Sequence, residues 1–586
     1  MIRKLVTMAQ RVRLGEAQRF MLLSMLIGIF GGLVVVCFHG CIELMTWSIL
    51  GVPAGENKIA TVLGPGLGAL IATMLAMKVF KGAQGSGVNR TKAALYISDG
   101  DIPFRTVVGK FVACTISLGS GNSLGPEDPA LQMGSGVASA LGRIFQLTKE
   151  QMRLIAPIGA AAGIAAAFNT PIMAVLFVIE EVIAAWNSAV LGSIVLSSVA
   201  AVVVSRSFLG DEPLFRVPDF AFRHTSELLV YAGIGFACGL LASLFVRNVV
   251  RIKQRFKELP HTLRLDAGKP LLAGVLVGLV GLMLPETLGV GYEAVDGAIH
   301  NRFPWHMLLV FGVAKLVATT ICYTAGIPGG LFAPTLFIGA MVGGGIGGLA
   351  QQYWPLHTSP ATGYVLVGMG AFFAGVFRAP MTSIFMVFEV SASYKAILPV
   401  MVANTIAYLT SRQLYRRAFF DQLAKLEGLE LPSHEAQREQ RTLRVEDAMS
   451  IEPDVELTPE TTIAYAREVA GKTQGEWFLS HDSVREWRLI AKKDLAPDAV
   501  NRRVRLGELD GIEVPHIFPD QALHATLRRL GSAPILPVVS RENAAKLLGV
   551  MDLRRAMDAY GVDLDKVAAD GHEPEPAPET SDPVQS

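Results

Sequence analysis

The sequence predicts an all-α polytopic membrane body of two related halves, followed by a soluble α/β piece. Three observations predict it. Charge is sparse from about residue 20 to 410 and dense beyond it. Long apolar runs recur through the sparse part, and glycine and proline sit inside those runs in two matching patterns.

Over the whole chain 51% of residues are hydrophobic and 18% charged, where about 25% charged is usual for soluble domains. Apolar stretches occupy 21–50, 60–80, 104–118, 154–167, 188–207, 227–246, 271–284, 306–322, 362–377 and 396–410. Several reach the roughly 20 residues that cross a bilayer, and others are too short to cross as straight helices. The first run is too long for a cleaved signal and is read as retained. Segment 1–19 carries Arg3, Lys4, Arg11, Arg13 and Arg19 against Glu16, so the positive-inside rule makes it cytoplasmic. The cluster Arg412, Arg416 and Arg417 puts the C-terminal part on the same side. A net charge of +1 gives no footprint for nucleic acid. Cys37, Cys41, Cys114, Cys238 and Cys322 all fall in apolar runs and are expected to be packed in the interior. Cys37 and Cys41 lie one helical turn apart, but His39 and Glu43 are offset from them by two residues and complete no metal site. No H-E-x-x-H or other catalytic set is present, and no enzyme is expected.

The repeat is specific. Gly125-Pro126-Glu127-Asp128-Pro129-Ala130-Leu131-Gln132-Met133-Gly134 and Gly330-Leu331-Phe332-Ala333-Pro334-Thr335-Leu336-Phe337-Ile338-Gly339 both fit G-x-x-x-P-x-L-x-x-G. Roughly 45 residues after each comes a second matched pair. Phe168-Asn169-Thr170-Pro171 runs on to Glu180-Glu181, and Phe377-Arg378-Ala379-Pro380 runs on to Glu389. Two motifs in one order at like spacing imply duplication, and duplicated transporters place their site between the halves, at broken helices whose ends face the substrate.

These segments resemble the signatures of the chloride channel and transporter (CLC) family. The run from Gly125 resembles its G-R/K-E-G-P, and Gly85-Ser86-Gly87-Val88-Asn89 resembles G-S-G-I-P. Gly329-Gly330-Leu331-Phe332-Ala333-Pro334 resembles G-x-F-x-P, and Phe168 through Glu181 resembles the F-N-A-P…E-E helix. The resemblance covers 20–430 and implies inverted-repeat halves with broken, tilted helices, a homodimer, and one anion pathway per subunit. It also implies that Ser86 and the amides of Leu331 and Phe332 coordinate an anion. The chemistry agrees: N–H groups at helix N-termini hold an anion without a full positive charge, and Gly85, Gly87, Gly125, Gly329 and Gly330 let backbone approach it. Glu127 takes the position of the external gating glutamate, and Glu181 that of the inner proton-transfer glutamate. Glu180 and Glu389 read as structural, and Lys110 as a source of positive potential or a snorkelling lysine. Three departures stand out. Pro126 and Asp128 replace the usual basic residue and glycine, with Asp128 adding a second charge beside Glu127. Asn89 replaces proline. Phe420 falls where the family has its inner anion-coordinating tyrosine, with Tyr415 as the competing register.

In the tail, 443–497 and 503–560 resemble a tandem pair of cystathionine-β-synthase-type (CBS) domains. The resemblance rests on Val445-Glu446-Asp447-Ala448-Met449, Pro534–Val539 and Leu548–Asp552. Such pairs often bind adenine nucleotides, but Ala491 with Asp494 and Asp552 with Arg555 leave both expected sites incomplete, so dimerisation and nucleotide sensing stay open. Segment 570–586 is expected to be disordered. The expected function is chloride/proton antiport by a multi-pass protein of the cell (inner) membrane, with no cofactor beyond such a nucleotide. A passive chloride channel is the nearest alternative, and a membrane-anchored nucleotide sensor is the alternative of another class.

Overall fold

The computed structural model describes residues 15–51, 57–183, 188–218, 224–260, 262–431, 443–451, 456–472, 476–482, 485–495, 505–509, 511–531 and 533–560. The basic cluster at 3–13 and the tail from 570 lie outside the described residues. The chain divides into two units, Met1–Pro432 and Ser433–Ser586.

The first unit is helical. Its first half comprises α1 (Glu16–Leu50), α2 (Lys58–Met74), α3 (Gly87–Tyr96), α4 (Phe104–Gly119), α5 (Glu127–Ile144), α6 (Lys149–Phe168), α7 (Pro171–Phe177) and α8 (Ser188–Leu209). The second half repeats that order as α9 (Leu228–Glu258), α10 (Leu263–Met283), α11 (Tyr292–Ile299), α12 (Trp305–Thr324), α13 (Phe332–Tyr353), α14 (Ala361–Phe377), α15 (Pro380–Ser391) and α16 (Ile397–Leu414). A short α17 (Phe419–Leu426) closes the unit. Among the described residues, eight helices are long and apolar enough to cross a membrane. One of them, α13, is absent from the apolar runs read off the sequence. The runs at 104–118 and 362–377 form helices of only 16 and 17 residues.

The shared motif has a structural reason at each end. Pro129 and Pro334 take the third position of α5 and α13, where a missing N–H breaks no intrahelical bond. The closing glycines let the helix pairs touch backbone to backbone. A Cβ on Gly134 would stand 2.2 Å from the Gly159 carbonyl oxygen of α6, and one on Gly339 would stand 2.3 Å from that of Gly368 in α14. Helices α6 and α14 both end on a left-handed residue, Asn169 at φ 59° and Arg378 at φ 58°, before the proline that starts the next short helix. The halves also join directly. Gly125 N–H donates to the Gly330 carbonyl at 2.8 Å, and Gly330 N–H donates back to Gly125 at 2.7 Å.

Two expectations are corrected. Cys37 is exposed and Cys41 half-buried, while Cys114, Cys238 and Cys322 are buried as expected; the apolar face of α1 that carries Cys37 is turned outward, as befits a surface against lipid. Lys110 does not snorkel. It is buried, and its ammonium donates to the Ala83 and Gly85 carbonyls at 3.2 and 2.8 Å. Lys315, its counterpart on α12, does the same for Thr287 and Gly289 at 3.0 and 2.6 Å. Each buried lysine pins the turn that leads into a short broken helix, α3 or α11.

The second unit mixes helices and small sheets. An antiparallel sheet has the order β1 (Trp477–Asp482), β2 (Arg485–Ala491), β3 (Ile512–Glu513), and a hairpin pairs β4 (Ile535–Val539) with β5 (Leu547–Asp552). Its helices include α18 (Val445–Ala448), α19 (Ile463–Lys472), α20 (Leu523–Leu530) and α21 (Leu553–Ala559). The opening segment pairs its backbone with the last strand, not with the strands nearest it in sequence. Ser450 exchanges both backbone hydrogen bonds with Val550 of β5, at 2.9 and 2.8 Å, and Val445 shares one core with Leu479, Trp487, Val538 and Val550. The segments 443–497 and 503–560 therefore interlock.

Candidate functional site

Four helix starts meet at the seam between the halves, those of α3, α5, α11 and α13. At the start of α13, the N–H groups of Leu331 and Phe332 have no hydrogen-bond acceptor among the described residues. The next N–H, that of Ala333, donates to Glu127 Oε2 at 3.3 Å. Glu127 is fully buried at the first position of α5, and its other carboxylate oxygen accepts from the Tyr292 hydroxyl of α11. The gating candidate of one half is thus held by two helix starts of the other. Gly329 adopts φ 158°, and a Cβ there would stand 2.6 Å from that of Leu124.

The start of α3 is occupied differently. Asp128 turns its carboxylate onto it and accepts from the Ser86 hydroxyl at 3.1 Å, Gly87 N–H at 2.8 Å and Val88 N–H at 3.1 Å. Ser86 N–H donates to Glu427 Oε1 at 2.9 Å. The Ser86 hydroxyl expected to face an anion is therefore donated to Asp128. The two neighbouring acids Glu127 and Asp128 are drawn to different donor sets.

Phe420, at the second position of α17, lies among rings from three other helices. It stacks on Phe377 with centroids 5.3 Å apart and meets Phe332 and Phe177 edge-on at 6.5 Å each. Its carbonyl accepts from the Asn89 side chain at 3.1 Å. Tyr415, the competing register, ends α16, and its carbonyl accepts from Arg378. Of the two registers, Phe420 is the one whose ring meets Phe332.

Glu181 lies in a π-helical turn, Val178–Ile183, that continues α7. It is buried and paired with the equally buried Lys92 of α3. The Lys92 ammonium also lies 5.7 Å from the centre of the Phe420 ring, so Lys92 touches both the inner carboxylate and the aromatic cluster. Glu180 and Glu389 cap reciprocally. Glu389 accepts from Ile172 and Met173 N–H at the start of α7, at 3.0 and 2.7 Å. Glu180 accepts from Thr382 N–H and hydroxyl near the start of α15, at 3.0 and 2.8 Å.

Sequence reasoning missed Tyr292, Lys92 and Glu427. The first two left a signal. Tyr292 follows Gly87 by the same interval that separates Phe332 from Glu127, so the repeat points to it. Asn89 and Lys92 are three apart and share one face of α3. Among the described residues, no three His, Cys, Asp or Glu side chains gather as a metal site.

Fold and site define a multi-pass membrane protein with broken helices meeting between two repeated halves, where backbone donors and buried carboxylates face one another. Residues 68–412 match the family model described as Voltage gated chloride channel. A ClcB-like protein of Ralstonia nicotianae is 33% identical over 401 residues, spanning 66% of this chain and 92% of its own length. The H(+)/Cl(-) exchange transporter ClcA of Vibrio cholerae is 30% identical over 418 residues, spanning 68% and 88% respectively. The structure of a slow cyanobacterial Cl-/H+ antiporter superposes with a TM-score of 0.64 at 25% identity, covering 71% of this chain and 98% of its own. The chain belongs to the voltage gated chloride channel (CLC) family.

Proposed function

We propose that this protein exchanges chloride for protons across a membrane. One observation carries the reading: Glu127 is bonded to the Ala333 N–H, next to the Leu331 and Phe332 N–H groups that have no acceptor among the described residues. A charged Glu127 competes with an anion for that helix start. Protonation removes its charge and weakens its hold on Ala333, so one residue links proton uptake to anion entry. Glu181 is the second proton carrier, and Lys92 offsets its charge in the low-dielectric interior, where an unpaired carboxylate is costly. Two related proteins named as proton-coupled, in Vibrio cholerae and a cyanobacterium, support the same reading.

The test is proton movement into liposomes under a chloride gradient. Wild-type protein is expected to move protons against chloride. Glu127→Gln is expected to keep chloride flux and lose proton movement, because the amide mimics the protonated side chain, and Glu181→Gln is expected to lose coupling likewise. Chloride-driven proton uptake retained in Glu127→Gln would refute the assignment. Phe420 favours a second reading, a passive channel, since a phenyl ring offers no hydroxyl to close the inner side of the pathway. Chloride flux with no proton movement in the wild type would select it.

The same proposal takes both termini as cytoplasmic and the protein as a homodimer in the cell (inner) membrane. It also takes the second unit as a CBS-type pair, with nucleotide sensing and dimerisation as its two readings, and Asp552 is already engaged within the chain. Its carboxylate caps α21 through Arg555 N–H at 2.8 Å and pairs with the Arg555 guanidinium at 3.3 Å. Titration of the purified protein with ATP and AMP decides the nucleotide question, and cross-linking in membranes decides the dimer.

A further inference from the structure

The starts of α3 and α13 at the seam are unequal, and the inequality carries an inference of its own. At α13, two N–H groups have no acceptor among the described residues and a third holds Glu127. At α3, the Ser86, Gly87 and Val88 N–H groups and the Ser86 hydroxyl are each taken by a carboxylate from elsewhere in the sequence. Asp128 accepts three hydrogen bonds there, and Glu427 accepts the Ser86 N–H. Three hydrogen bonds of 2.8 to 3.1 Å onto one carboxylate from a hydroxyl and two amides are the coordination that a helix start offers a free anion.

The fit is built by residues without side chains. A Cβ on Gly330 would stand 2.8 Å from the Asp128 Cβ, and one on Gly87 would stand 2.2 Å from the Asp128 carbonyl oxygen. Gly85, at φ 80°, would bring a Cβ to 2.8 Å from Glu427 Oε1. Glu427 is held less completely, since its Oε2 is buried with no hydrogen-bond partner among the described residues.

We propose that Asp128 is a second tethered anion, which occupies the α3 donor cradle and must be displaced before chloride can be held between α3 and α13. This rests on the reading that chloride binds between those helix starts. Glu127 and Asp128 then form a split gate, one carboxylate on each helix start, and Glu427 closes the α3 turn alongside Asp128. Chloride meets a protein carboxylate on each side of its site, so wild-type affinity is lowered by competition with ligands held at high effective concentration.

Calorimetric titration of the purified full chain with chloride tests this, with reconstituted flux measured alongside. Asp128→Asn keeps the shape and removes the charge, and its amide nitrogen opposes one of the α3 donors. Chloride is expected to bind roughly tenfold tighter in that variant. Ser86→Ala is expected to cost more chloride affinity in the Asp128→Asn background than in the wild type, because only there is the hydroxyl free for the ion. Glu427→Gln is expected to tighten binding by a smaller factor, and it serves as the test should Asp128→Asn fail to fold. Unchanged or weaker chloride binding in folded Asp128→Asn, or in Glu427→Gln where that is the variant measured, would overturn the proposal and make the carboxylates permanent caps of α3. Additive effects of the Ser86 and Asp128 changes would overturn it as well. Wild-type protein that neither binds nor passes chloride would instead sink the transport reading.

Discussion

Phe420 places a ring, and no donor, beside Phe332 and within reach of the Lys92 ammonium. A hydroxyl at this ring is expected to add one hydrogen bond to a bound chloride, and a bond to a charged group is worth about 1.5–3 kcal/mol. Phe420→Tyr should therefore tighten chloride binding by roughly tenfold at the low end of that range and raise the protons moved per chloride. Calorimetry with paired flux measurements checks both, and an unchanged affinity would remove Phe420 from the pathway. Residues such as Glu127, Leu331 and Phe420 were legible in the sequence because motif and repeat mark their positions. Tyr292, Lys92 and Glu427 were not, because each acquires meaning from a partner far along the chain. Glu427 meets Ser86, and Lys92 meets Glu181, only once the two halves are assembled. Asp128 was visible as a departure, but whether it would crowd Glu127 or turn to another helix depends on where α3 begins.

Among the elements, the reciprocal capping by Glu180 and Glu389 explains how the short helices α7 and α15 survive. Each starts at a proline after a break and is too short to be stable alone. The carboxylate from the other half supplies acceptors for its orphaned N–H groups. Loss of a capping acceptor typically costs about 0.5–2 kcal/mol. Glu389→Ala and Glu180→Ala are each expected to lower stability in detergent by an amount in that range, read as a lower thermal midpoint, with chloride affinity unaltered, since the N–H groups they cap belong to α7 and α15. A loss of chloride affinity at unchanged stability would contradict the capping role. The long apolar helices other than α13 were readable from composition alone. Helix α5 was not, because its interior carries Glu127, Asp128, Gln132, Ser135 and Ser139, all buried against protein. Apolarity scans find surfaces that face lipid and pass over helices whose polar side chains find partners inside. Strands β4 and β5 were legible as short apolar runs, whereas β1 and β2 and the return of residue 450 to pair with β5 left no local signal.

In the whole molecule, the first unit contains every residue of the proposed pathway, from Gly85 to Glu427, around one continuous core. Its halves are stitched at the gate by the paired hydrogen bonds of Gly125 and Gly330. That stitch bears on how fast the protein can cycle. A transporter whose halves rock would have to break both bonds in every turnover and then remake them in register. Rotation of the Glu127 side chain breaks neither, and rotamer changes are fast beside collective motions on the μs–ms scale. The cycle then needs no hinge at this point, and its clock is the arrival of protons at a buried carboxylate. Turnover is expected to rise only gently with temperature and steeply with proton concentration. Flux measured in liposomes over a range of both would tell the two apart: a steep temperature dependence at saturating proton concentration would mean that the seam opens after all.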